Sequence, residues 1–361
     1  MTIQKVRDFS GGEHTFSIEI DHSPVYELLL RLFVVGDEDC LEFEMGDQLS
    51  TVFADRASAT LKKDIKSLGN ASEVWVGLIP LAYEVGSATI AGFIDHLDAM
   101  SPVELRARLL DCAWTDKKDQ PSPATTDAAA GGESEAVKEL AHTIFAKDKH
   151  QGLRNLLAME PERSKSTLID VLRRYSKEVF TEADELAPLL AKDAQEKAAL
   201  VAKLPADQAI EIATNGITVD VGADTSGVVL IPAFSARPWV IITESGPTKI
   251  FCYGASVDIE EDPDAPPAWV VKFYKALGDE RRLRILGVLR QGPASLSDLA
   301  QRLELSKSTI HHHMGMLRAA GLVRVTLGKE KDYSLRTDAV PQAGQLLEAY
   351  LTTATISGGT K

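Results

Sequence analysis

Cysteine is scarce in this chain. Cys40, Cys112 and Cys252 stand far apart and odd in number, which excludes a disulfide framework and fits a reducing compartment. Long apolar runs are missing as well. Nothing approaches the roughly 18 consecutive apolar residues that a membrane span requires. The opening residues, Met1-Thr-Ile-Gln-Lys-Val-Arg-Asp8, lack a charged-then-apolar signal, so a cytoplasmic protein with no membrane partner is expected. Phosphate loops of the Walker form, Gly-x-Gly-x-x-Gly and Gly-x-Ser-x-Gly are all absent, which leaves enzymatic activity without support. No catalytic residue and no cofactor are therefore assigned. What is present is ordinary for a folded protein: 44% hydrophobic and 25% charged residues over 361 positions, room for two or three domains.

Basic charge is also in short supply overall, since the chain carries −14, a balance that by itself argues against nucleic acid. It is unevenly spread. Residues 268–337 hold 13 Lys and Arg against 6 Asp and Glu, a balance of +7 that leaves −21 for the rest. A positive island on an acidic body suggests that one part touches nucleic acid and the other stays clear of it.

Within that island the most informative stretch is Ser306-Lys-Ser-Thr-Ile-His-His-His-Met-Gly-Met-Leu-Arg-Ala-Ala-Gly-Leu322. Ser306 reads as an N-cap and Gly321 as a left-handed stop. At 100° per residue, Ile310, His313, Met314 and Leu317 share one side of a helix, while Ser308, His312 and Gly315 fall opposite. Thr309, His311 and Met316 occupy the flanks. An outer face of short hydroxyls and imidazoles without carboxylates suits a DNA major groove. Upstream, Ser295-Leu-Ser-Asp298 has the form of a capping box opening a helix over 296–303. Glu304 and Leu305 leave only a tight turn before Ser306, the spacing of a helix-turn-helix. Asp279 to Arg290 predicts a third helix, with Leu283, Ile285, Leu286 and Leu289 for its core. Downstream, Leu322–Thr326 and Asp332–Arg336 alternate like paired strands around a tip at Gly328-Lys-Glu-Lys331. Three helices followed by a basic hairpin predict a winged helix.

Lys275-Ala-Leu-Gly-Asp-Glu-Arg-Arg-Leu-Arg-Ile-Leu286, Leu296-Ser-Asp-Leu-Ala300, Ser308-Thr-Ile-His-His-His313 and Leu317-Arg-Ala-Ala-Gly-Leu-Val323 together resemble the ArsR-type winged-helix repressors. The resemblance covers roughly residues 268–337, about a fifth of the chain. It implies a transcriptional regulator of the repressor kind, a homodimer on a partly palindromic double-stranded operator, with recognition helix 306–320 in the major groove and wing 322–336 on the backbone. It also implies that the helix beginning at Trp269, Val270, Phe273 and Leu277 and the terminal helix Gln342–Thr353 serve dimerisation. The DNA-binding set is then Ser306, Lys307, Ser308, Thr309, His311, His312, Arg324, Lys329 and Lys331. Gly315 departs from the pattern, standing where many relatives carry lysine, and Met316 is bulkier than a typical backbone-contacting residue. The family's metal sites use cysteines on the first helix of the helix-turn-helix or histidines on the terminal helix. Residues 294–303 hold no cysteine and 341–350 no histidine, so no metal is assigned.

The remainder predicts an α+β protein: the winged helix-turn-helix preceded by a mostly helical region and a small antiparallel β segment. Residues 1–115 open with a strand at Thr15–Ile20 and continue as helices, including Leu49–Ile65 and one capped at Ser101. Residues 116–134, rich in Pro, Ala and Gly, read as a flexible linker or as a long surface loop inside one domain. Residues 135–262 read as a helical then β-rich effector or dimerisation region, with strands at 216–221, 227–231, 237–243 and 248–253. The last three resemble a segment preceding the winged helix in some larger ArsR-type regulators. A small-molecule effector is conceivable there, near Arg237 and Trp239, although a rim ion pair and a core anchor are the more ordinary roles. Residues 263–267 read as an acidic, proline-stiffened hinge and 268–355 as the DNA-binding domain with its terminal helix. The competing reading is a winged helix used as a protein-interaction module in a larger assembly. His311–His313 point about 100° apart and suit one core imidazole better than a metal site. His142 and His150 lack a third ligand, and Cys252 reads as a buried inert thiol.

Overall fold

The computed structural model describes residues 2–7, 13–36, 43–68, 72–112, 121–143, 151–219, 225–256, 266, 268–327, 331–337 and 339–353. The chain forms two compact units: residues 1–202 with 223–257, and residues 203–222 with 258–361. In chain order, the first unit contributes β1 (Thr2–Arg7), β2 (Glu13–Ile20), α1 (Pro24–Gly36), α2 (Gly46–Arg56), α3 (Ala59–Ser67), α4 (Ser72–Val85), α5 (Ile90–Ala99) and α6 (Pro102–Asp111). It continues with α7 (Pro123–Ala130), α8 (Ser134–Thr143), α9 (Gln151–Leu157), α10 (Pro161–Glu178) and α11 (Ala183–Val201). The second unit then takes α12 (Ala206–Ala213) and β3 (Ile217–Val219), and the first takes back β4 (Gly227–Ala233), β5 (Ile241–Ser245) and β6 (Thr248–Gly254). The second unit closes with α13 (Ala268–Leu277), α14 (Glu280–Leu289), β7 (Ala294–Ser295), α15 (Leu296–Leu303), α16 (Lys307–Ala319), β8 (Val323–Leu327), β9 (Lys331–Leu335) and α17 (Ala339–Thr353).

The first unit is built on a five-stranded sheet in the order β1-β2-β4-β6-β5. It is mixed rather than antiparallel: β2 pairs with β4, and β4 with β6, in parallel. Only the outer pairs, β1 with β2 and β5 with β6, are antiparallel. The central β4 is buried along its whole length, as a strand covered on both faces must be. Val229, Ile231, Ile250 and Cys252 join the main core with α1, α4 and α10. In the alternate register, the Tyr253 hydroxyl donates to Asp193 of α11 at 2.6 Å. The buried Glu27 carboxylate is satisfied by Phe234 N at 2.9 Å, by the amide and hydroxyl of Ser235, and by Arg31 at 3.3 Å. Arg31 also pairs with Glu182 and lies over the Phe180 ring. A buried charge needs such company, and these groups tie α1 to the turn after β4 and to the start of α11.

Several sequence expectations change. Residues 116–134 are not simply a linker, because α7 forms within them. Ser122 caps it, Pro123 takes its first turn, and Thr126, Ala129 and Ala130 are buried. Small alanines allow close helix packing where bulk alone suggested a tether. The single helix expected over 49–65 is broken, with Ser58 capping α3. The strand expected over 237–243 begins only at Ile241, because Arg237 and a cis Pro238 form a turn. Arg237 lies near Glu44 at 3.8 Å and against the Phe234 ring. The stretch Gly216–Val221 was grouped with the strands that follow it, yet β3 belongs to the second unit. Of the hinge expected over 263–267, only position 266 is among the described residues. Cys252 is fully buried and burial pushes its thiol pKa up; that of Cys112 is pushed up to about 11. Cys40 and His150 lie outside the described residues, as does the side chain of His142. No single helix among the described residues is long and apolar enough to cross a membrane.

Candidate nucleic-acid interface

The basic stretch folds as three helices and a wing. Asp279 caps α14 by accepting from Arg282 N at 3.0 Å. Ile285 and Leu289 of that helix enter the core, but Leu283, expected beside them, is 50% exposed. At α15 the capping box is complete: Asp298 N donates to Ser295 Oγ at 3.1 Å and Ser295 N to Asp298 Oδ2 at 3.2 Å. Glu304 ends the helix in the left-handed region at φ 55°, and Leu305 N returns to Ala300 O at 3.1 Å. That reversal delivers the chain to Ser306, which caps α16 by accepting from Thr309 N at 3.1 Å.

Ile310, His313, Met314 and Leu317 of α16 are buried as its periodicity requires. Ser306, Lys307, Ser308 and His311 are exposed, and Thr309 and His312 are half-buried. The three hydroxyls converge, with Ser306 Oγ 2.9 Å from Ser308 Oγ and 2.7 Å from Thr309 Oγ1. Gly315, expected on this outer face, is buried. The triple histidine divides by position on the helix: His313 is inside, and neither of its ring nitrogens has a hydrogen-bond partner among the described residues. Burial lowers its pKa, with Asp279 opposing. Exposed as His311 is, partial desolvation of its ring and the nearby Lys331 charge lower its pKa too, so both rings are held toward the neutral form.

The wing strands β8 and β9 pair antiparallel, with Val325 opposite Tyr333, and β7 adds to β9. Lys331 is exposed at the start of β9; its tip neighbour Lys329 lies outside the described residues. Arg324 forms an ion pair with Glu211 of α12. Sequence reasoning missed this contact, the helix α12 and the pairing of β3 with the wing. β3 extends the wing sheet to the order β3-β8-β9-β7, running parallel to β8 with Ile217 opposite Val325. The preceding turn is fixed by close contact: Gly216 has φ 103°, and a Cβ there would stand 2.8 Å from Val323 O. Asn215 Nδ2 donates to Arg318 O and Ala319 O, both at 3.0 Å, so it caps the carbonyl end of α16. Buried Arg318 in turn donates to Thr214 O at 3.0 Å, and burial pulls its pKa down to about 10.

A family model described as a helix-turn-helix domain matches residues 277–326. The transcriptional activator HlyU of Vibrio cholerae is 40% identical over 70 residues, 19% of this chain and 64% of HlyU. The HTH-type transcriptional regulator CmtR of Mycobacterium tuberculosis is 35% identical over 84 residues, 23% of this chain and 71% of CmtR. The chain belongs to the ArsR family. The solution structure of apo-NmtR is 32% identical and corresponds to 30% of this chain and 94% of that one, with a TM-score of 0.19. This ArsR-family chain spans about two thirds or less of the first curated relatives it matches, 64% for HlyU and 62% for NmtR of Mycobacterium tuberculosis. Those relatives are transcriptional regulators, a non-enzymatic class. The family model spans α14 to most of β8 and leaves the first unit unmatched by that model.

Proposed function

We propose that this ArsR-family chain is a sequence-specific DNA-binding transcriptional regulator, acting as a repressor and as a homodimer on a partly palindromic operator in the cytoplasm. The observation that carries this reading is the outer face of α16. It presents hydroxyls and imidazoles, Lys307 stands at its positive end, and no carboxylate interrupts it. Ser308, Thr309, His311 and His312 then read base edges. Ser306, Lys307, Arg324, Lys329 and Lys331 contact the backbone. A neutral imidazole at His311 is able to donate and accept, which suits base edges better than phosphates. Tyr274, Val340 and Leu351 expose apolar surface on α13 and α17, the helices the resemblance assigns to dimerisation. The first unit is the place for an effector.

The test is fluorescence anisotropy on duplex DNA from upstream of the protein's own gene against a scrambled duplex, at two salt concentrations. Cognate binding on the order of a thousandfold tighter, with a steep salt slope, supports the reading. Absence of binding to either duplex at low salt refutes it and favours a protein-interaction module.

A further inference from the structure

Glu211 lies far from the ArsR-type stretch in sequence, yet it sits on the wing. It is 19% exposed, and its carboxylate meets the Nε–H of Arg324, itself 39% exposed on β8. The placement is firmly built. Gly216 N donates to Glu211 O at 2.7 Å, ending α12. Val325 N donates to Gly216 O at 2.7 Å, docking that end on β8. Asn215 caps α16, and Thr218 Oγ1 reaches Thr326 Oγ1 at 3.0 Å. α12 therefore cannot swing away from β8 without breaking a strand pairing and a helix cap.

We infer that Glu211 is an internal phosphate mimic, a residue that occupies Arg324 and holds down the affinity of the wing for the DNA backbone. The inference rests on the DNA-binding reading above. A guanidinium fork fits carboxylate and phosphate oxygens alike, so the two compete for one donor set. A partly exposed ion pair contributes little to stability, which makes exchange of Glu211 for a phosphate nearly balanced. Arg324 then joins the interface only when the carboxylate yields, and a displaced Glu211 leaves a negative charge beside the backbone. The chain runs from α11 into this segment and on into β4, both elements of the first unit, so the segment that carries Glu211 is covalently continuous with that unit at each end.

The experiment uses the full-length protein and one fixed generic duplex, with affinity measured by anisotropy across a salt series. Glu211→Gln is expected to bind several-fold tighter at low salt, with the log–log salt slope steeper by about one. Glu211→Asp, one methylene shorter, is expected to fall between it and the wild type. In an Arg324→Gln background the gain from Glu211→Gln is expected to shrink clearly, to the part that loss of one negative charge gives by itself. A folding defect would weaken binding, the opposite sign, so tighter binding is not a product of damage. Wild-type binding with an unchanged Glu211→Gln affinity and slope, or a gain that persists undiminished without Arg324, overturns this inference alone. A wild type that binds no duplex overturns the DNA-binding reading and this one with it.

Discussion

His313 keeps its imidazole inside the winged helix with neither nitrogen hydrogen-bonded among the described residues, next to His312 at 5.9 Å between ring centres. Its pKa is lowered first by burial and then by the cations Arg282 and Arg281 and by His312, with Asp279 pulling the other way. Below the ordinary imidazole value near 6.5, the unfolded chain takes up a proton that the folded one refuses. Stability therefore falls as pH drops through that value. His313→Leu is expected to remove this part of the pH dependence and to raise stability by about 1 kcal/mol, since it replaces an unsatisfied polar ring. Urea unfolding at pH 7.5 and at pH 5.5 reads both effects, and equal slopes for variant and wild type would count against them. On the outer face, Thr309→Ala is expected to relax discrimination at one operator position by about 1–3 kcal/mol while non-cognate binding stays put. Competition with single-base operator variants measures this, and an unchanged cognate-to-scrambled ratio would remove Thr309 from the readout.

The helix-turn-helix was legible element by element because its determinants are local. Ser295 and Asp298 lie three residues apart, Ser306 and Thr309 likewise, and the apolar stripe of α16 repeats within one helix. Position on a helix face does not fix exposure for Gly315, which has no side chain to reach solvent and is buried. β3 was invisible as part of the wing for the opposite reason. Ile217-Thr-Val219 reads as a strand, but nothing in three residues names a partner whose pairing position lies 108 residues downstream. The outward-facing hydroxyls and imidazoles of the candidate site were likewise visible, whereas Glu211, Thr214 and Asn215 reach it only through that distant pairing. Gly216 is the test of this junction. Gly216→Val forces a side chain into positive φ and toward Val323 O, and is expected to destabilise the second unit by at least about 1–3 kcal/mol. Denaturant unfolding followed at the wing checks it; a loss of only a few tenths would show that β3 is dispensable.

At the scale of the whole chain, charge is divided as unevenly as fold. The −14 total conceals the +7 of residues 268–337, so DNA affinity is expected to depend steeply on salt despite a sequence pI near 5.1. Lys329→Ala is expected to weaken cognate and scrambled duplexes alike and to lower the salt slope by about one; a change confined to the cognate duplex would make it a base reader. The second unit is also divided along the chain, for residues 203–222 join it from the far side of β4, β5 and β6. That division has a consequence for biogenesis. A ribosome adding about 5–20 residues per second releases β3 on the order of ten seconds before β8 exists to receive it. Nascent chains thus carry an unmatched strand while β4, β5 and β6 of the first unit are still being made. The β3–β8 pairing waits for the wing, and translation pauses between positions 222 and 323 are expected to lengthen the interval in which that strand is open to mispairing.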